Sequence, residues 1–211
     1  MKKIITLLLL FIMAACTQGP PTPPPPNNPN AKLAPVTFEE DIALNPPKEQ
    51  QFDFYFGKYE KPDQRFMVGV EFWVPADQHF QYFSTYLSSP WRQGKNLPYF
   101  DVAIEQHLTD GTVKVLPLQG VKHFIFEDLA IVKYTTPPAR FSVFCLNAEA
   151  RQDGGGRLYD GWLCSMTGLD LDKLDNYQDG FFRLKIKLAS PLKLDGFVRV
   201  KAMVLYQTNH K

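Results

Sequence analysis

From Gln51 onward apolar side chains recur at every second position, so each stretch offers one apolar and one polar face, as a strand does in a pleated sheet. Phe52, Phe54 and Phe56 follow this period, and Phe66, Val68, Val70, Phe72 and Val74 follow it over a longer run. Phe100, Val102 and Ile104 lead to a turn signal at Asp110-Gly111, after which Val113 and Val115 resume the alternation. Short apolar runs follow at His123 to Phe126, Leu129 to Tyr134, Phe141 to Leu146, Leu158 to Met166, Phe182 to Leu188 and Phe197 to Tyr206. Roughly ten short strands parted by Gly, Pro, Asp and Asn predict a mainly β, antiparallel fold, and a β-sandwich in particular. One segment departs from the period. Ala76, Phe80, Phe83 and Leu87 recur at helical spacing after Pro75, which predicts one short amphipathic helix from Pro75 to Ser88 lying on a sheet. His79, Tyr82 and Tyr86 form a second stripe on that helix, read as a polar-tipped border to the buried face rather than a ligand groove.

Residues 1–15 have the make-up of an export signal: Lys2 and Lys3, an apolar run from Ile4 to Met13, and the small pair Ala14-Ala15 directly before Cys16. The apolar run is too short to span a bilayer, so membrane attachment must come from chemistry at Cys16. Ile12-Met13-Ala14-Ala15-Cys16 resembles the lipobox of bacterial lipoproteins, with Met13 where Leu is commoner. The resemblance covers the export signal alone. It implies cleavage before Cys16 and lipid on its sulfur and new amino group. Thr17 in place of Asp then implies an outer-membrane destination, by the sorting rule of enteric lipoproteins. Two or three acyl chains, at about 0.8 kcal/mol for each buried CH₂, anchor durably where one holds only marginally.

Residues 16–34 continue with Pro20, Pro21, Pro23 to Pro26 and Pro29 among small polar residues, with no apolar period. Such composition predicts an extended spacer from Thr17 to Ala34, rising about 3.1 Å per residue and so on the order of 55 Å long at full stretch. A spacer of that length lifts the domain clear of the membrane. Hydrophobic residues make up 45% of the chain and aromatics 14%, ample for one packed domain over residues 35–211. Loss of Lys2 and Lys3 with the signal turns 23 basic and 22 acidic residues into 21 and 22. A near-neutral chain has no overall field with which to hold nucleic acid.

Cys145 and Cys164 flank Asp153-Gly154-Gly155-Gly156, and their midpoint falls inside this turn signal. Strands paired about that midpoint place the two cysteines opposite each other, within disulfide reach, in a protein that meets an oxidising compartment. A two-residue Gly154-Gly155 turn and a four-residue turn both satisfy this pairing, and the sequence does not choose between them. The last two strands carry a charge asymmetry. Arg183, Lys185 and Lys187 lie opposite the apolar face of one, and Arg199 and Lys201 opposite that of the next. If Pro191 to Gly196 is a simple connection, the five form one basic outer face suited to lipid phosphate, a sugar polymer or an acidic protein. The plainer reading is a solvated face neutralised by carboxylates of an adjacent strand.

Asp170, Asp172, Asp175 and Asp179 invite a calcium loop, but Leu174 stands where a third ligand belongs and Lys173 puts a cation inside the cluster. A short capped helix or a turn-rich connection is expected there. His79, His107, His123 and His210 form no zinc-ligand pair, and no nucleophile elbow or phosphate-cradling glycine loop occurs. No catalytic residue, metal or cofactor is therefore assigned, and the chain is not expected to be an enzyme. The loop from Ser88 to Tyr99 carries Trp91, Arg92 and Tyr99, residue types enriched at interaction hot spots, and these are the candidate partner contacts.

These readings converge on a lipid-anchored envelope protein on the periplasmic face of an outer membrane. Its disulfide-stapled sandwich would serve as a binding or assembly module for another envelope protein or an anionic envelope polymer. A surface-displayed adhesin or ligand-binding lipoprotein is the alternative, and a hydrolase of envelope polymers stands behind it.

Overall fold

The structure, a computed structural model, describes residues 22–58, 64–77, 98–118, 121–122, 130–131, 138–142, 144–174, 176–189 and 198–206. Its first strands are β1 (Lys32–Leu33), β2 (Val36–Asp41), β3 (Gln50–Tyr55), β4 (Arg65–Pro75), β5 (Tyr99–His107) and β6 (Val113–Val115). They are followed by β7 (Val121–Lys122), β8 (Ala130–Ile131), β9 (Ala139–Ser142), β10 (Phe144–Gln152), β11 (Leu158–Asp170), β12 (Phe181–Leu188) and β13 (Arg199–Tyr206). One sheet has the order β1-β3-β12-β5-β6, with β9 also on β5, and the other has the order β10-β11-β4-β13-β2. Strands β7 and β8 form a separate ribbon. The pairings are antiparallel, apart from the parallel contact of β1 with β3. The fold is thus mainly β and sandwich-like. Of the expected helix, Pro75 ends β4 and Ala76 lies in a turn, while Phe80, Phe83, Leu87 and the stripe of His79, Tyr82 and Tyr86 lie outside the described residues.

The period of two decides which side chains meet. Phe66, Val68, Val70, Phe72 and Val74 on β4 are each at most 2% exposed. They join Phe52 and Phe54 of β3, Leu184, Ile186 and Leu188 of β12, and Val200, Ala202 and Val204 of β13 in one core between the sheets. At one end of the sandwich Phe56, just past β3, packs on Phe66 of the opposite sheet at 4.6 Å between ring centroids and on Phe182 at 5.1 Å. Offset and edge-on rings at such distances add attraction beyond the area they bury. These contacts also show which strand ends lie together. The starts of β4 and β12 and the ends of β3 and β5 share this Phe56 end, so the start of β5 at Tyr99, the end of β4 and the start of β11 share the opposite, Tyr99 end.

The stretch that composition assigns to the spacer contributes its residues 22–34 to the folded unit. Tyr55 Oη donates to Thr22 O at 2.8 Å, and the Lys58 amide donates to Thr22 Oγ1 at 3.2 Å. The Asn27 side-chain amide donates to the carbonyls of His107 and Leu108, and that of Asn28 donates to Asp53 at 2.7 Å. Ala31 is buried with Tyr55 and Phe181 on the outer side of the first sheet, after which the chain pairs with β3 as β1. Proline cannot donate a backbone hydrogen bond. The two asparagines between the prolines supply side-chain donors instead, which a reading by proline content overlooks.

At the Phe56 end Arg65 and Asp170 face each other across β4 and β11, the guanidinium holding both carboxylate oxygens, with Lys173 Nζ on one of them at 2.6 Å. Chiefly through the hydrogen bond from Arg65, the Asp170 carboxyl is lowered from 3.8 to about 2. A group whose value falls on folding stabilises the fold above its unfolded value and ceases to do so as the pH drops through the folded one. This contribution is therefore full above pH 4 and lost toward pH 2. Asp170→Asn should flatten that acid limb in urea titrations at a series of pH values. At neutral pH it should cost about 1 kcal/mol, less than the shift alone implies, because Arg65 is 40% exposed and water screens the pair. An acid limb unchanged in the variant would remove Asp170 as its cause.

Candidate interaction surfaces

Cys145 and Cys164 lie opposite each other on β10 and β11 and are joined by a disulfide across a sequence separation of 19. The turn is neither of the two expected lengths. Gln152 pairs with Leu158, which leaves the five residues Asp153 to Arg157 as the loop. A bulge between Cys145 and Asn147 absorbs the difference, since an extra residue on one strand shifts the turn without moving the cysteines out of register. Asp153 organises the loop. Its carboxylate accepts from the amides of Gly155 at 3.0 Å and Arg157 at 2.9 Å and from Tyr159 Oη at 3.1 Å, and the amide of Arg157 leads the effects that hold its carboxyl below the ordinary value. Gly156 takes φ +83, a left-handed backbone that glycine adopts without steric cost. Replacing Cys164 with Ser should cost about 3 kcal/mol, the closure entropy of a loop of this size, read as a lower urea midpoint than that of the oxidised wild type. Equal midpoints would deny the bridge a stabilising role.

The five basic residues do not form one face. Strand β12 lies in the first sheet, between β3 and β5, whereas β13 lies in the second, between β4 and β2, so the chain between them changes sheets and makes no hairpin. Arg183, Lys185 and Lys187 are thus separated from Arg199 and Lys201, and acids on neighbouring strands meet most of them. Arg183 grips both Asp53 oxygens at 2.8 Å. Lys185 Nζ donates to Glu105, which His107 also contacts at 3.2 Å. Burial pushes the Glu105 carboxyl up, but the Lys185 and His107 contacts outweigh it and leave it below its ordinary value. Lys187 is exposed and stands opposite Asp101, itself held by Arg140 at 2.8 Å. Opposite charges directly across a strand pair stabilise it by about 0.2–1 kcal/mol, so this face is a charge ladder internal to the sheet.

On the outer side of the second sheet Lys201 is buried, with its Nζ 4.4 Å from the centre of the Trp73 ring, and Arg199 lies over the same ring at 5.4 Å. Arg199 also donates to Asp41 at 2.8 Å. Lys201 stands opposite Glu71, which is 1% exposed and takes a 2.6 Å bond from Arg151. A buried carboxylate needs such partners, since its desolvation is otherwise uncompensated. Sequence reasoning did not name Asp53, Glu105 and Asp41 as the partners of Arg183, Lys185 and Arg199, nor Asp101 and Glu71 as the acids opposite Lys187 and Lys201. The signal was present, because Asp53, Asp101, Glu105 and Glu71 each occupy the polar positions of an alternating strand.

Of the aromatic candidates, Trp91 and Arg92 lie outside the described residues. Tyr99 opens β5, is 43% exposed, and its carbonyl accepts from the Ala189 amide at 2.7 Å, so an exposed ring stands on a fixed backbone. Leu158, at the start of β11 and 61% exposed, lies at the same end of the sandwich. The described part of the acidic stretch holds a single turn of 3-10 helix, Leu171–Lys173, and Asp175 lies outside the described residues. Asp170 is bound to Arg65, and Asp179 accepts from Thr109, in line with a structural connection. Among the described residues no group of three or more His, Cys, Asp or Glu is placed to hold a metal ion. His107 stacks on Phe181 at 4.6 Å, while His79, His123 and His210 lie outside the described residues, as does Cys16. Comparison of the chain with family models, curated proteins and solved structures finds no match.

Proposed function

We propose that this protein is a lipid-anchored component of the bacterial cell envelope whose β-sandwich binds another envelope component through its Tyr99 end. The lipobox-like Ile12-Met13-Ala14-Ala15-Cys16 carries this reading. The Cys145–Cys164 bridge supports it, because such bridges persist where proteins are exported rather than in a reducing cytosol. Arg183, Lys185 and Arg199 are engaged by carboxylates of their own sheets, which favours the exposed Tyr99 and Leu158, with Trp91 and Arg92 shortly before β5 in the sequence, as the contact region. Cys16→Ser should move the protein from the membrane pellet to the soluble fraction, or leave it uncleaved. A variant that loses its signal and still pellets with membranes would refute the anchor. Capture from native membranes through a C-terminal tag, with and without Tyr99→Ala, then tests the binding role. One stoichiometric envelope protein, weakened by the substitution, supports assembly, and a host or surface ligand instead supports the adhesin reading.

A further inference from the structure

We infer that the sandwich is held against the lipid headgroups by its Phe56 end, with the Tyr99 end pointing away from the bilayer; the inference rests on the lipid anchor at Cys16 proposed above. Thr22 is fixed to that end by hydrogen bonds from Tyr55 and from the Lys58 amide, and Asn27 holds the following turn against the carbonyls at the close of β5. Thr22 follows Cys16 by only six positions, which is at most about 20 Å of extended chain. The free spacer that composition suggests would have allowed the domain to rotate far from the membrane. The docked one keeps Thr22, and the Phe56 end with it, within about 20 Å of the anchored cysteine.

Strand length sets how far the other end stands from the tether. Strand β5 has nine residues, Tyr99 at one end and His107 at the other, and a strand rises about 3.4 Å per residue. Tyr99 therefore lies on the order of 27 Å from His107 along the strand, on the side away from the tether point. Lys58 and Lys173 at the Phe56 end are accompanied by Asp110 and Asp172, all exposed, so the charge there is mixed. Short reach, and not attraction to anionic lipid, orients the domain. The partner of Tyr99 and Leu158 is then a macromolecule met in the aqueous space and not a lipid of the anchoring leaflet.

The test uses the full-length lipidated chain in phosphatidylethanolamine–phosphatidylglycerol vesicles that carry an energy-transfer acceptor on a lipid headgroup. Donor dyes are placed on Val113→Cys, at the Phe56 end, and on Leu158→Cys, at the Tyr99 end; both native positions are exposed. Transfer should be several-fold stronger from position 113 than from 158. Inserting twelve Gly/Ser residues between Gln18 and Gly19 should weaken transfer from 113 and shrink the difference, without touching the folded unit. Vesicles that float with bound protein but give equal transfer from both positions would overturn the orientation while leaving the anchor intact. Protein that does not float with the vesicles would overturn the anchor and the orientation together.

Discussion

Phe182→Ala is expected to destabilise the domain by about 3–5 kcal/mol, the cost of removing a fully buried ring and leaving a cavity. Phe182 is 0% exposed, stacks on Phe54 at 5.5 Å and meets the Phe56 edge at 5.1 Å. Its strand is the middle one of three, laddered to β3 on one side and β5 on the other, so the backbone cannot close over the vacancy. Domains of this size are stable by about 5–15 kcal/mol, and the loss is a large part of that. Urea unfolding should show a much lower midpoint with an unchanged slope, and Phe182→Leu should recover most of it. A loss under about 1 kcal/mol would contradict the packing of this ring between the sheets.

Gly69→Ala should be comparably damaging although it adds one methyl group. A Cβ on Gly69 would overlap the carbonyl oxygen of Cys164 and stand 3.0 Å from the Cα of Ser165, which are backbone atoms of the paired strand and cannot swing aside. Strand β4 sits between β11 and β13, so relief requires parting a central ladder beside the disulfide. Overpacking of this kind costs about 3 kcal/mol. The same replacement at Gly111, where nothing lies within 4 Å of the added carbon, meets only the penalty of its positive φ. Denaturation of the two variants side by side separates the effects, and a Gly69→Ala no worse than Gly111→Ala would mean the strands do not approach as closely as described.

Alternation alone makes several elements legible in the sequence. Phe66 to Val74 falls within β4, Phe100 to Ile104 within β5, and Phe182 to Leu188 and Phe197 to Tyr206 mark β12 and β13 closely. Elements with a broken period are harder. Strand β11 runs on to Asp170 past a bulge between Ser165 and Thr167, where the facing residues change parity. Strand β2 buries only Phe38 among its six residues, too little to register as a period. The pairing of Cys145 with Cys164 is legible because glycines mark the centre of the hairpin, but the bulge that sets the turn at five residues leaves no compositional trace. Of the proposed contact residues, Tyr99 is placed on an exposed strand end, and the basic face dissolves into two sheets.

The chain alone set which face of each strand is apolar, since that depends only on side chains two residues apart on one segment. It determined, too, where the cysteines would meet, because the intervening turn is local. Which strands became neighbours was decided only in the tertiary structure. Strands β12 and β13 are consecutive in sequence, yet each fits better between other partners, where Arg183 finds Asp53 some 130 residues away and Arg199 finds Asp41 across 158. The docking of residues 22–34 was decided there as well, by carbonyls of β5 and a carboxylate of β3 that no local pattern near Asn27 or Asn28 reveals. Burial of one face can be read from a segment alone, whereas neutralising a charge or satisfying an amide requires a partner whose position exists only once the chain has folded.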